Sequence, residues 1–353
     1  MDDIDEIRAR VLSHYPGWEA ATITRINSGL INRSFLLTRA GAGPVMRAVL
    51  QGVSKIFSPA IHDNIAAVTA RLAEQGLATP RLLPTSAGAL YLDAGERGIW
   101  RLQVYVDGVA FDVVGSAAQA RAAGELVGRF HRALDGFAFS FVNPRAGVHD
   151  TPAHLRRLND AVAAHVDHRL AAAVRPLADA IAAGAAALPP LPALAPRVCH
   201  GDLKFNNILF AGRQPPDDTR AVCLIDLDTC GPQSLAYELG DAWRSWCNRA
   251  GEDDVEARLD LDVFRASLDG YLAGLGRPLA ADERSGLLLG VEWISLELAA
   301  RFAADALAES YFGWDATRFP GRGEHNLVRA RGQWSLHQAL LASRAARAAL
   351  LAS

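Results

Sequence analysis

Over the first hundred residues, apolar and polar positions alternate with a period of two. Thr22–Asn27, Ile31–Thr38, Val45–Gln51 and Ile99–Val106 read as strands, with shorter runs at Arg81–Leu83 and Ala89–Leu92. A short amphipathic helix over Asp2–Ser13, stopped by Tyr15-Pro16-Gly17, precedes them, and one longer helix, Pro59–Gln75, interrupts them. Asp107-Gly108 breaks the last strand, and beyond it the period becomes helical. Ala117–Leu134, Thr151–His168, Ala171–Ala187, Val255–Leu275, Ala281–Leu307 and a closing Glu324–Leu341 read as helices. The pattern predicts an α+β chain of two lobes, a sheet lobe over residues 1–106 and a larger helical lobe over 107–353.

One stretch of the second half departs from the helical period. From Val198 to Gly231 two short apolar runs, Ile208–Phe210 and Ala221–Ile225, flank the turn-rich Ala211–Arg220 and read as a hairpin. His200, Asp202, Lys204, Asn206 and Asn207 stand before the first run, and Asp226 and Asp228 follow the second. Folding the hairpin gathers both sets at one end, where converging carboxylates and amides are costly unless a cation sits among them. A polar turn is the plain alternative. The spacing favours chemistry: Asp202 and Asn207 are five apart, and an Asp ends the next apolar run. This resembles the catalytic and metal loops of the protein-kinase-like phosphotransferases. There, one Asp orients the attacking hydroxyl and accepts its proton, while an Asn and a second Asp hold Mg²⁺ through hard oxygen ligands. The expected fold is therefore a protein-kinase-like two-lobed one, with a small antiparallel sheet lobe and a mainly helical lobe.

Composition narrows the partners. The chain has 353 residues, half of them apolar and 21% charged, with a net charge of −3, so no basic footprint for nucleic acid is present. No apolar run is long enough to span a membrane, and the acidic start lacks the form of a signal peptide; a cytoplasmic protein is expected. The four cysteines, Cys199, Cys223, Cys230 and Cys247, form no C-x-x-C pair and read as buried small residues.

Several outlying residues carry weaker signals. The turn at Ser28-Gly29-Leu30 can bring backbone close to a phosphate or be a simple hairpin turn. Arg47 is the one basic residue of Val45–Gln51, where kinase-like folds place a cation for the α- and β-phosphates; Lys55 is the fallback. The helix after it offers Asp63 or Asn64, and no Glu near its middle, to pair with that cation. Glu238 and Asp241, one turn apart, suit a scaffold role behind the catalytic loop, and Trp243 and Trp246 suit the core. The acidic Glu252–Asp262 reads either as a solvated loop or as a collar for a cationic substrate. Glu297 and Arg301 share a helix face as a salt bridge, or Arg301 reaches an acceptor.

Taken together, the segments SGLINRSF, HGDLKFNN, VCLIDLDTCGP, YELGDAWR, LELAARFAADAL and HNLVRARGQW resemble the aminoglycoside-phosphotransferase superfamily, and within it the N-acetylhexosamine 1-kinases. The resemblance implies ATP and Mg²⁺ and a small-molecule acceptor, the anomeric hydroxyl of an N-acetylhexosamine or related sugar. It implies Asp202 as catalytic base, Asn207 and Asp226 as metal ligands, and Asp228 and Arg301 on the substrate. Ser28, Gly29, Asn32, Arg47 and Lys204 are the nucleotide-side candidates. Two departures stand out: Gly201 lies between His200 and Asp202 where those sugar kinases carry Asn, and Leu30 takes the place of a His. Kinases of aminoglycosides, choline or homoserine, and a nucleotide-binding pseudokinase, are the competing readings.

Overall fold

The computed structural model describes residues 4–26, 32–40, 46–142 and 148–352. A short helix, α1 (Ile4–Arg10), leads into a mixed lobe. Its sheet is antiparallel, built from β1 (Thr22–Ile26), β2 (Arg33–Arg39), β3 (Met46–Val53), β4 (Leu82–Leu83), β5 (Leu92–Asp93) and β6 (Ile99–Val104). The order is β1-β2-β3-β6-β4, with β5 also paired to β6. Alternation along β3 sends Ala48 and Leu50 to one face, where they pack with Ile7, Leu12, Tyr15, Phe35, Trp100 and Leu102. The other face presents Val49, Gln51, Arg101 and Gln103. Helix α2 (Ile61–Glu74) packs beside the sheet and its apolar face joins the core of the larger lobe.

Among the described residues eight α-helices follow: α3 (Ala117–Ala133), α4 (Thr151–Ala164), α5 (Ala171–Ala187), α6 (Leu235–Trp246), α7 (Leu261–Leu275), α8 (Ala281–Ala308), α9 (Arg322–Ala342) and α10 (Arg344–Ala352). Helices α3 and α7 meet almost backbone to backbone. A Cβ on Gly124 would stand 2.0 Å from the Ser267 carbonyl oxygen, and one on Gly270 2.0 Å from that of Arg121, so only glycine permits this approach. A second core joins α4, α5, α8 and α9. Among the described residues no helix is long and apolar enough to cross a membrane. All four cysteines are free and buried.

Two small antiparallel ribbons are set into the helical lobe. β7 (Arg197–Cys199) pairs with β10 (Gly231–Gln233), and β8 (Ile208–Phe210) with β9 (Ala221–Leu224). The outer ribbon brackets the inner one. Residues 200–207 and 225–230 therefore leave neighbouring strands and lie side by side. Pairing of Val109 with Phe210 ties the segment after the sheet lobe to the same ribbon.

Most predicted elements are present, with adjusted ends. Helix α6 starts at Leu235 because the Ser234 side chain accepts a hydrogen bond from Ala236 N and caps it. The helix expected from Val255 begins at Leu261, where Asp260 accepts from the backbone N–H groups of Asp262 and Val263. Strands β7 and β10 are too short for a periodic signal.

Candidate active site

The loop between β7 and β8 is held from behind by one carboxylate. Glu238 on α6 accepts the backbone N–H of His200 (2.7 Å) and of Gly201 (2.9 Å), and its Oε1 lies 3.3 Å from His131 Nε2. Burial alone would raise its pKa, but these partners hold it below the ordinary carboxylate value. Glu238→Gln exchanges an acceptor for a donor that faces those N–H groups. It should cost about 3 kcal/mol of stability, read as a lower melting temperature.

Gly201 has φ of +80°, and a Cβ there would come within 2.6 Å of the Thr229 carbonyl oxygen. Glycine is what lets this loop lie flat on the neighbouring loop. His200 is buried and its tautomer follows from its partners. Nε2 donates to the Ile225 carbonyl (2.8 Å), so Nδ1 accepts the Asp202 N–H at 3.3 Å. Asn207 Nδ2 donates to the Asp202 carbonyl (2.8 Å), and Ile225 N donates to the Asn207 carbonyl (3.0 Å). Trp246 Nε1 donates to the Leu203 carbonyl at 2.7 Å. With the backbone so pinned, the Asp202 carboxylate remains partly exposed, 3.3 Å from Lys204 Nζ. Burial depresses the Lys204 pKa, but Asp202, Glu252 and Asp241 outweigh it and raise the value overall.

Asp226 sits in the left-handed region, φ 64° and ψ 58°, an uncommon conformation for a residue with a side chain and one concentrated at functional sites. Burial, then the charges of Asp228 and Asp202, push its pKa up to about 6. Asp228 is buried. It accepts from Asn32 Nδ2 at 2.8 Å, and Arg101 Nη1 lies 2.5 Å from its Oδ1, out of hydrogen-bond alignment.

The donor set suits a hard divalent cation. The Asn207 amide nitrogen is engaged, which leaves its oxygen for a ligand. Asp226 is a carboxylate held under excess negative charge from Asp228 and Asp202. Asn207 and Asp226 are the residues that would hold it.

The structure thus gathers Asn32, Asp202, Lys204, Asn207, Asp226 and Asp228 into one region. Ser28 and Gly29 lie outside the described residues. Arg47, the candidate for the phosphates, is not brought into that region. It is exposed, ion-paired to Asp107 and stacked on Tyr105 with its guanidinium 4.5 Å from the ring centre. That is the end of β3 near residues 105–108, four residues or about 13 Å along the strand from Gln51. Lys55 is exposed as well. Neither candidate on α2 pairs with a β3 cation: Asp63 is exposed, and Asn64 exchanges two hydrogen bonds of 2.9 Å with the Val142 backbone. Arg301 lies 3.7 Å from the buried Glu297 and over the Phe312 ring. Glu297 also takes Thr151 Oγ1 at 2.6 Å and His149 Nδ1 at 3.1 Å. The salt-bridge reading of this pair describes the structure.

Beyond Lys204 the first carboxylates of the acidic stretch are ion-paired. Arg244 bridges Asp241 (2.7 Å) and Glu252 (3.1 Å). Asp253 takes Arg329 (2.9 Å), His325 (2.8 Å) and Arg318 (3.0 Å). Sequence reasoning did not find Arg101 and Gln51. The available signal was an arginine in an otherwise largely apolar strand, Ile99–Val106.

A small antiparallel sheet over a helical lobe, with acidic loops side by side at a bracketed ribbon, defines the kinase-like phosphotransferase fold. Solved structures of this fold align over nearly the whole chain. An aminoglycoside phosphotransferase from Alicyclobacillus acidocaldarius is 18% identical, with a TM-score of 0.60, covering 96% of this chain and 95% of its own. A choline kinase from Cryptosporidium parvum is 11% identical, with a TM-score of 0.57 and coverages of 97% and 96%. An amicoumacin kinase in complex with AMP-PNP and Ca²⁺ is 12% identical, with a TM-score of 0.62 and coverages of 96% and 94%. The phosphotransferase enzyme family model matches residues 22–275, and the chain belongs to that family.

Proposed function

We propose that this protein transfers the γ-phosphoryl group of ATP to a hydroxyl of a small polar acceptor, the anomeric hydroxyl of an N-acetylhexosamine or a related sugar. The observation that carries the phosphotransfer reading is the convergence of Asp202, Asn207 and Asp226 on two loops of one ribbon, beside a partly exposed lysine. Asp202 orients the acceptor hydroxyl and accepts its proton as the oxygen attacks the γ-phosphorus. The bond from that phosphorus to the bridging oxygen breaks, and ADP leaves. Lys204 lies within reach of the phosphates. The backbone of residues 105–108, between the lobes, receives the adenine. Asn207 and Asp226 would hold a Mg²⁺ ion, which would supply positive charge against the phosphates.

The acceptor reading rests on charge. A polycation needs uncompensated carboxylates, whereas Asp241, Glu252 and Asp253 are each tied to arginine. That balance suits a neutral, hydroxyl-rich molecule. The fold alone does not choose, since kinases of choline and of aminoglycosides share it.

The test supplies Mg-ATP with a panel of N-acetylhexosamines, neutral hexoses, an aminoglycoside, choline and homoserine, and reads ADP release and the ³¹P spectrum of the product. Turnover with an N-acetylhexosamine and an anomeric phosphate resonance is the expected result. Turnover confined to the cationic acceptors would transfer the assignment to that class. Nucleotide binding with no turnover on any acceptor would mark a pseudokinase.

A further inference from the structure

The nucleotide lobe holds a buried cation that the reading above does not use. Arg101 on β6 is 1% exposed and faces the larger lobe. Its register partner on β3 is Gln51. Gln51 Oε1 accepts from Arg101 Nε (3.0 Å), Arg101 Nη2 (2.8 Å) and Gln103 Nε2 (2.6 Å), while its Nε2 donates to Ser34 Oγ at 3.0 Å. The amide orientation is thereby fixed, with its oxygen toward the guanidinium. The remaining nitrogen, Nη1, meets Asp228. Asn32, whose Oδ1 accepts the Ser54 N–H at 2.9 Å, reaches Asp228 from the same lobe.

We infer that Arg101 is the positioning cation of the nucleotide lobe. Through its ion pair it fixes Asp228, and with it the loop carrying Asp226, in the arrangement that binds nucleotide. It fills the place that a β3 cation takes in protein kinases. Three observations converge on this assignment. Arg47 is committed to Asp107 at the far end of β3. Helix α2 brings no carboxylate inward, since both Asp63 and Glu74 are exposed. A buried guanidinium keeps its place only when every face is paired, and here its partners come from β3 and from the opposite lobe. Gln51 at the β3 position is what leaves room for it, because a lysine there would set a second cation against the first.

The inference rests on the kinase reading, and the test separates the two. Nucleotide affinity is measured by the thermal shift with ADP and with Mg-ADP, and KM for ATP is compared with kcat. Arg101→Gln should weaken Mg-ADP binding and raise KM for ATP by about 30-fold, the lower end of what truncating one partner of a buried charge pair costs in affinity. The fall in kcat should be much smaller. The swap Q51K/R101Q returns a cation to the cluster from the facing strand and should recover most of the lost affinity. Unchanged affinity in a folded Arg101→Gln variant would overturn the inference. So would a folded swap variant with no better affinity than Arg101→Gln. Should Arg101→Gln not fold, the swap decides alone: near-normal Mg-ADP binding supports the role, and lost binding in a cooperatively melting protein overturns it. A native chain that shows no nucleotide shift would refute the kinase reading instead.

Discussion

Asp202→Ala should lower kcat by about three orders of magnitude, within the range contributed by a positioned general base. The fold around it should survive. The loop is held through backbone groups, by Glu238 behind His200 and Gly201 and by Asn207 on the Asp202 carbonyl. The Asp202 side chain itself is partly exposed and touches Lys204 at 3.3 Å. The nucleotide-induced thermal shift should therefore stay close to that of the native chain, and kcat and kcat/KM for the acceptor should fall together. A variant that keeps its turnover would refute the role given to Asp202. Equal loss of nucleotide binding would move that role from the acceptor to the phosphates.

Asp226→Asn should separate stability from activity. The native carboxylate is crowded by burial and by Asp228 and Asp202, and its pKa rises from 3.8 to about 6. Across that interval the folded chain binds more protons than the unfolded one. The stability of the metal-free protein therefore falls as pH rises from about 4 to about 6, then levels off. The amide removes that slope and tolerates the left-handed backbone of this position. The metal-free variant should be more stable at neutral pH, by less than the full linkage value because solvent screens this exposed side chain, measured by denaturant unfolding. Its kcat/KM should fall on the order of 10²–10³, the scale for losing one preorganised electrostatic group. Protons compete with the cation at Asp226. Divalent affinity of the native chain should thus rise about tenfold per pH unit up to about 6 and then plateau. A pH-independent affinity, or a less stable metal-free variant, would remove Asp226 from the cation site.

The stretch from Val198 to Gly231 was legible because its signals are local. Ile208–Phe210 is a strand with the predicted ends, and the polar residues on either side had to emerge where the hairpin opens. Helix α5 likewise matches its predicted span, since a period of 3.6 is a property of consecutive residues. The cation of the sheet lobe was not legible. Arg47 and Arg101 both look like isolated arginines in strands. Which of them faces the loops depends on strand register and on the partners met across the lobes.

Local order along the chain determined the two-lobed class, most of the helices and the chemical character of the loop residues, because period, capping and spacing act between near neighbours. Tertiary structure decided what each charged residue is paired with. It gave Arg47 to Asp107, Arg101 to Asp228, and arginines to the acidic stretch beyond Lys204. An ion pair depends on distance and burial between residues as far apart in sequence as 101 and 228, and only packing sets those.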